Sequence, residues 1–421
     1  MARKHIIVGS GPAGLTALEK IRGITSEDKV TLVSREACLP YSPTALPYLL
    51  SGQIDTSKLW VADEDYFKRM ACDFHSGKEV VQVEAEKKEV VYKGGEREKY
   101  DTLLICTGSM PVRPSVEGIE EVGFIGFHTI EDYHELNRRL EGKSEVLIYG
   151  GGLVTMGLAS GLVKRGLKVK IIVRSRILRS YFNTDAGTLI SEGFIAQGAE
   201  IITGSEISQV RKLDKGVEAV LTDGSHFTGD LLICCLGTVP RVSFLEGSGI
   251  EIKKGIVVDH KMQTNIEGIY AAGDVTEAAD FFGEPGLNAI VPNAVAQGEV
   301  AGCNMAGEER LFKGWIPMNV FNFFDNRACS VGYCLADGED TEIMEEAGGE
   351  EKNAKRLVFK NDKLIGAMFV NEEVDPGVIR YLIEEGIDMK KHKALLFDKT
   401  RDTSRWLMLE AEKSQARSLE S

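Results

Sequence analysis

The amino-acid sequence predicts an α/β protein made of two parallel-sheet units of one plan, followed by a smaller α+β domain. Three observations predict it. A strand, a glycine-rich loop and a helix succeed one another at residues 5–20 and again at residues 145–164. Each of these units reaches a later buried strand, residues 102–106 in the first and residues 230–236 in the second. From Lys313 onward the glycine loops cease, and strand-like runs alternate with a single helix. A chain of 421 residues with 45 glycines is long enough for two or three such bodies, each with its own core.

Taken in order, Ile6-Ile7-Val8 reads as a buried strand and runs into Gly9-Ser10-Gly11-Pro12-Ala13-Gly14, which opens a helix. Gly9 permits the tight turn, Gly11 lets a ligand approach the backbone, and Gly14 lets helix pack on strand. The helix N-terminus adds amides and a positive dipole suited to a pyrophosphate, so this loop predicts a bound dinucleotide. The next strand, residues 30–33, ends before Arg35 and Glu36. Glu36 is the ribose-binding candidate, and Arg35 is placed over the adenine or toward solvent. A meander near residues 78–92 with a turn at Gly94-Gly95 precedes the buried strand ending at Thr107-Gly108, and Pro111 and Pro114 give a stiff exit. The second unit adds a strand at residues 169–173 and ends its buried strand before Gly237. A short strand at residues 268–272, then Gly273-Asp274, then a helix beginning near Pro292 return to the first plan. The third domain has strand-like runs at residues 328–333, 356–359 and 364–370, a helix near residues 376–385 and a charged tail after Lys399. The expected division is 1–112, 113–243, 244–312 and 313–421, the first and third segments forming one domain.

With 64 acidic against 50 basic residues the chain carries a formal charge of -14, which repels nucleic acid and anionic membranes. The N-terminal residues enter a strand rather than a cleavable apolar segment, and no apolar run has spanning length, so a cytoplasmic location is expected. Eight scattered cysteines without a C-x-x-C pair fit reduced thiols, and no metal site is expected.

The Thr107-Gly108-x-x-Pro111 turn and the stretch from Thr264-Asn265 to Ala271-Ala272-Gly273-Asp274 resemble the FAD-dependent pyridine nucleotide-disulfide oxidoreductase superfamily over nearly the whole chain. The resemblance implies two Rossmann-type domains, binding FAD and NAD(P), with a smaller α+β C-terminal domain for an interface or partner. It implies that Asp274 hydrogen-bonds the flavin's ribityl chain; its bland alternative is a helix N-cap. It also implies that the helix opening at Pro292-Asn293-Ala294 points its dipole at the flavin pyrimidine ring. The FAD set it gives is Gly9, Gly11, Pro12, Ala13, Gly14, Arg35, Glu36, Pro43, Thr44, Val80, Thr107, Gly108, Gly273, Asp274, Pro292, Asn293 and Ala294.

The second loop, Gly150-Gly151-Gly152-Leu153-Val154-Thr155, departs from the pattern because Thr155 stands where the third glycine belongs. Gly157 occupies the place where relatives often carry a glutamate beside the nicotinamide. Arg174 follows the second strand where NAD-specific proteins usually place an acid, and a guanidinium there suits a 2′-phosphate; NAD and NADP both stay open. The expected NAD(P) set is Gly150, Gly152, Leu153, Val154, Arg174, Arg179 and Gly237.

Single-cysteine relatives place their nucleophile in a C-x-L-P-Y segment, and this chain reads Thr44-Ala45-Leu46-Pro47-Tyr48. A threonine forms no thiolate, which disfavours disulfide, peroxide or persulfide chemistry there. Cys38 is expected to be a small, partly buried side chain, and Cys329 and Cys334 are expected in the core on opposite faces of a strand. The seven histidines, His128 and His134 among them, lack metal-ligand spacing. The chain is similar to the flavin modules of NADH-nitrite reductases and to FAD subunits that couple 2-oxoacid or aldehyde oxidoreductases, such as phenylglyoxylate dehydrogenase, to NAD. That similarity implies an NAD(P)H:acceptor oxidoreductase subunit exchanging single electrons with iron-sulfur protein subunits. Two other readings stay open: a stand-alone NAD(P)H oxidase or coenzyme A disulfide reductase-like enzyme, and a non-catalytic FAD-binding redox sensor.

Overall fold

The structure, a computed structural model, describes residues 2–349 and 352–398, so the tail expected after Lys399 lies outside the described residues. The chain forms two units. Among the described residues, one gathers those of Met1–Val112, His128–Ile130 and Gly237–Trp315; the other gathers those of Arg113–Phe127, Glu131–Leu236 and Ile316–Ser421.

The first unit is built on a five-stranded sheet in the order Ile269–Ala271, Thr102–Ile105, Lys4–Val8, Lys29–Ser34, Cys72–Ser76, every pair parallel. Its central strands are continuous apolar runs because both faces are covered. On one face the helix Pro12–Ile24 lies along the helix Val291–Ala306. This approach requires glycine: a Cβ on Gly298 would come within 2.3 Å of the Ala13 carbonyl oxygen, and one on Gly302 within 2.7 Å of the Ala17 carbonyl oxygen. The meander is three antiparallel strands, Val80–Glu84, Glu89–Tyr92 and Arg97–Lys99, and Gly94 and Gly95 both take positive φ in its second turn. The edge strand Cys72–Ser76 escaped the sequence reading because every one of its side chains is half-buried or exposed, so no apolar run marks it.

The second unit carries a parallel sheet in the order Glu200–Thr203, Lys168–Val173, Glu145–Tyr149, Leu231–Cys234. Its C-terminal part is a five-stranded antiparallel sheet in the order Met318–Phe323, Asn326–Gly332, Lys363–Val370, Asn353–Lys360, Glu342–Gly348, with the helix Pro376–Glu384. The two edge strands of that sheet, Met318–Phe323 and Glu342–Gly348, were not foreseen because their exposed positions interrupt the apolar pattern. Phe323 stacks on Phe194 of the helix Thr184–Ala196, with centroids 5.6 Å apart and planes 4° from parallel, which ties this sheet to the nucleotide-type sheet. Cys329 and Cys334 are both buried, as expected, but for another reason than alternation along a strand. The strand ends at Gly332, and the Cys334 thiol lies beyond it, donating to the Tyr181 carbonyl at 3.3 Å.

The chain rejoins the first unit at Gly237, earlier than the Ser243 boundary read from sequence. Thr238–Pro240 pairs antiparallel with Ser109–Pro111 in a two-stranded sheet of their own, which draws this stretch to the first unit. Residues His128–Ile130 also return to the first unit, where the Ile130 N–H donates to the Tyr41 hydroxyl at 3.0 Å. His128 therefore precedes its helix and lies in the first unit, whereas His134 lies within Ile130–Leu140.

Candidate functional site: two glycine loops and the residues around them

In the first unit the glycines divide into two kinds. Gly9, at φ +122°, and Gly14 are fixed by the protein itself. A Cβ on Gly9 would meet the Cys106 carbonyl oxygen at 2.2 Å, and one on Gly14 would meet the Gly9 oxygen at 2.1 Å. A Cβ on Gly11 would meet nothing within 4 Å, so the bareness of that residue serves space outside the chain. Gly11 caps the helix Pro12–Ile24 without a side-chain hydrogen bond, and the first turn carries no acid. Its opening amides are left for an anion. The Cys106 thiol, 3.3 Å from the Val8 oxygen and 3.2 Å from the Gly9 oxygen, braces the loop from beneath.

At the far side of the same unit, Gly273 takes positive φ, and its N–H donates to Gln297 Oε1 at 2.7 Å. The Thr276 hydroxyl lies 2.8 Å from both Gln297 Oε1 and the Gly273 oxygen. Gln297 thus sets the turn that presents Asp274. Burial raises the Asp274 carboxyl above its ordinary range, opposed by the Ser109 hydroxyl, which donates to it at 3.2 Å, and by nearby His128. The helix Val291–Ala306 begins without a side-chain cap and has no acid in its first turn. Buried Asn293 donates to the Asn288 oxygen at 2.8 Å, but its Oδ1 has no protein partner among the described residues. An open glycine face, two uncapped helix starts, a half-buried carboxylate whose charge is disfavoured and an orphaned amide oxygen all fit FAD.

The other residues expected at this cofactor distribute as follows. Pro43 and Thr44 are exposed on the short helix Pro43–Ala45, with the Thr44 and Ser42 hydroxyls 3.0 Å apart. Val80 is buried among Val8, Val33 and Tyr92, which leaves its backbone as its route to a ligand. Glu36 is half-buried and Arg35 exposed. Cys38 is half-buried, its sulfur 4.0 Å from Glu36 Oε2. The sequence reading missed Ser109, Gln297 as a brace, His128 beside Asp274, and Arg241. Only Arg241 left a signal, since Gly237-x-x-Pro240-Arg241 echoes the Gly108-x-x-Pro111 turn.

The second unit repeats the division of labour. Gly150, at φ +133°, would place a Cβ 2.1 Å from the Cys235 oxygen, whereas Gly152 faces open space and caps Leu153–Lys164 without a side-chain bond. Gly151 is also required, since its Cβ would lie 2.6 Å from Val173 Cγ2. Thr155, at the third glycine position, is fully buried beside the Cys235 thiol; Leu153 is half-buried and Val154 exposed. The Leu178 N–H donates to the Gly151 oxygen at 2.7 Å, so the arginine-bearing loop is tethered to the glycine loop. Arg174 and Arg179 are exposed there, Arg174 lying 3.4 Å from Glu206. Arg176, overlooked in the sequence, donates to the Arg179 oxygen at 3.3 Å while its buried Nη1 has no partner among the described residues. Gly237, expected on the nicotinamide side, opens the stretch that groups with the first unit.

No cysteine is in a disulfide among the described residues. Burial pushes the thiols of Cys72, Cys234, Cys235, Cys329 and Cys334 up to about 12, and Cys106 higher still. Thiols so held stay protonated near neutrality and are poor nucleophiles.

A family model described as pyridine nucleotide-disulphide oxidoreductase matches residues 3–298. The chain belongs to this family. It is 34% identical over 391 residues, 92% of each chain, to the NADH-dependent phenylglyoxylate dehydrogenase subunit epsilon of Aromatoleum evansii. It is 32% identical to an NADH oxidase of Methanocaldococcus jannaschii, over 88% of each chain. The crystal structure of reduced Bacillus anthracis CoADR-RHD shares the fold with a TM-score of 0.85 at 23% identity, covering 92% of this chain and 75% of the other. The chain is therefore an oxidoreductase whose cofactors are FAD and NAD(P)H. Among the described residues no helix is long and apolar enough to cross a membrane.

Proposed function

We propose that this chain is the FAD-containing electron-transfer subunit of a cytoplasmic multisubunit oxidoreductase of the 2-oxoacid or aldehyde type, exchanging electrons between NAD(P) and an iron-sulfur partner. The observation that carries the reading is Thr44: a hydroxyl stands in the segment where single-cysteine relatives keep their nucleophile, and the buried thiols are held protonated. The likeness to a phenylglyoxylate dehydrogenase subunit supports the partner class. A bound FAD would supply the chemistry of accepting a hydride and releasing electrons one at a time, which matches a two-electron donor to a one-electron acceptor.

The chain's own residues bind and orient. The Gly9–Gly14 loop and the helix behind it hold the pyrophosphate, Glu36 the adenosine ribose, and Asp274, presented by Gln297, the ribityl chain. The Val291–Ala306 helix start favours negative charge on the flavin ring. Gly150, Gly152 and their helix take the nicotinamide dinucleotide, with Arg174 and Arg179 available to a 2′-phosphate.

The test is anaerobic titration of the native flavoprotein with NADH and NADPH, alongside identification of what co-purifies. Flavin bleaching by one nucleotide and a co-purifying iron-sulfur protein reoxidising it are expected. Bleaching by neither would favour a redox sensor. A stand-alone oxidase is the second reading, supported by the 32% identity to an NADH oxidase, and rapid turnover of the isolated chain with oxygen would select it.

A further inference from the structure

Arg241 is fixed by its backbone at both polar groups. Its N–H donates to the Gly108 oxygen at 3.0 Å, and its carbonyl accepts from the Thr107 hydroxyl at 2.9 Å, directly after the strand pairing of Pro240 with Ser109. Two hydrogen bonds and a ladder thus hold one residue against the Thr107-Gly108 turn, one of the stretches that carry the family resemblance. Its guanidinium is half-buried, yet it makes neither an ion pair nor a hydrogen bond among the described residues. The charged groups around it are Arg35, Glu36 and Glu79. Glu79 is already paired with Lys93 at 3.5 Å, and Arg35 has no ion-pair partner among the described residues. Glu36 and Glu79 offset the two arginines in charge, but among the described residues no side chain is bonded to the Arg241 guanidinium, which leaves its donors for a ligand.

We propose that the Arg241 guanidinium is the counter-charge that grips the adenosine-diphosphate half of FAD. The proposal rests on the reading of the first unit as the FAD site. Glu36, beside Arg241, follows the strand whose end receives the adenosine ribose, and the open amides of Pro12–Ile24 flank the same sheet edge. A planar, permanently charged fork suits a phosphate oxygen pair better than an ammonium would. In this role Arg241 is a binding residue remote from the reacting ring, so its loss weakens cofactor retention without altering the ring's surroundings.

The experiment prepares the apoprotein from the full-length flavoprotein and measures the dissociation constants of FAD and of ADP as a competitor. Wild type is compared with Arg241→Gln, Arg241→Met and Arg241→Lys. Loss of one charge-assisted contact predicts roughly ten- to hundredfold weaker binding of FAD and ADP alike in the Gln and Met variants. Partial rescue is expected in the Lys variant, and an unchanged visible flavin spectrum once FAD saturates each variant. Wild-type affinity in both neutral variants overturns the assignment. So does weakening of FAD without ADP, or a displaced spectrum, either of which would make Arg241 a support for the Thr107-Gly108 turn. A wild-type chain that takes up no FAD sinks the parent reading instead.

Discussion

Threonine at position 44 puts a hydroxyl, whose proton is held at any physiological pH, where single-cysteine relatives keep a thiol, and on the proposed function electrons leave without a sulfur bond at this residue. Thr44→Cys tests its location. With its thiol reduced and its flavin oxidised, the variant is expected to show a new long-wavelength absorption band and one additional titratable thiol, both absent from the wild type; a spectrum like the wild type would mean that residue 44 does not face the flavin ring. Asp274 is tested through pH. Its folded carboxyl holds a proton to higher pH than it would in the unfolded chain, because burial outweighs the Ser109 and His128 contributions. Between those two values the folded state binds more protons, so this residue lowers stability as pH rises, and its cost is relieved as pH falls through the folded value. Asp274→Asn is expected to remove that slope from the apoprotein's melting curve while weakening FAD binding by about tenfold or more. A variant less stable than wild type at neutral pH would contradict it. Asp274 precedes the strand Thr276–Ala279 and no helix, so the alternative of a helix N-cap falls away.

Between elements the decisive contact is the crossing of Pro12–Ile24 over Val291–Ala306, two helices nearly 270 positions apart in sequence that meet through bare glycines. Gly298→Ala places a methyl 2.3 Å from a carbonyl oxygen and is expected to destabilise by about 3 kcal/mol; Gly302→Ala, at 2.7 Å, should cost less. Urea unfolding of the two variants would show that order, and equal losses would mean that the helices part freely. This contact also marks the limit of what the sequence disclosed. The glycine loops, the central strands and the helix near Pro292 were legible, since burial on both faces writes unbroken apolar runs and the turns demand glycine. The edge strands Cys72–Ser76, Met318–Phe323 and Glu342–Gly348 were not, because one exposed face erases the run. Ser109, His128 and Arg241 stayed hidden for a different reason: their partners are set by pairing across long stretches of chain, which no local pattern encodes.

At the scale of the molecule the two glycine loops belong to different units, each with its own sheet. A ligand that binds only the folded state stabilises what it binds, by about 2.7 kcal/mol at a hundred times its dissociation constant. Calorimetry is therefore expected to show two transitions, FAD raising one and the nicotinamide nucleotide the other. A single transition moved equally by both would mean that the units melt together.

The first unit is also discontinuous, since its edge strand Ile269–Ala271 and its second long helix follow the whole insertion. On a ribosome the inserted parallel sheet, complete once Leu231–Cys234 has emerged, can close while the N-terminal glycine loop still awaits the strand and helix that secure it. Translation order thus separates the Gly9–Gly14 loop from the elements that secure it, and the C-terminal sheet of the second unit emerges later still.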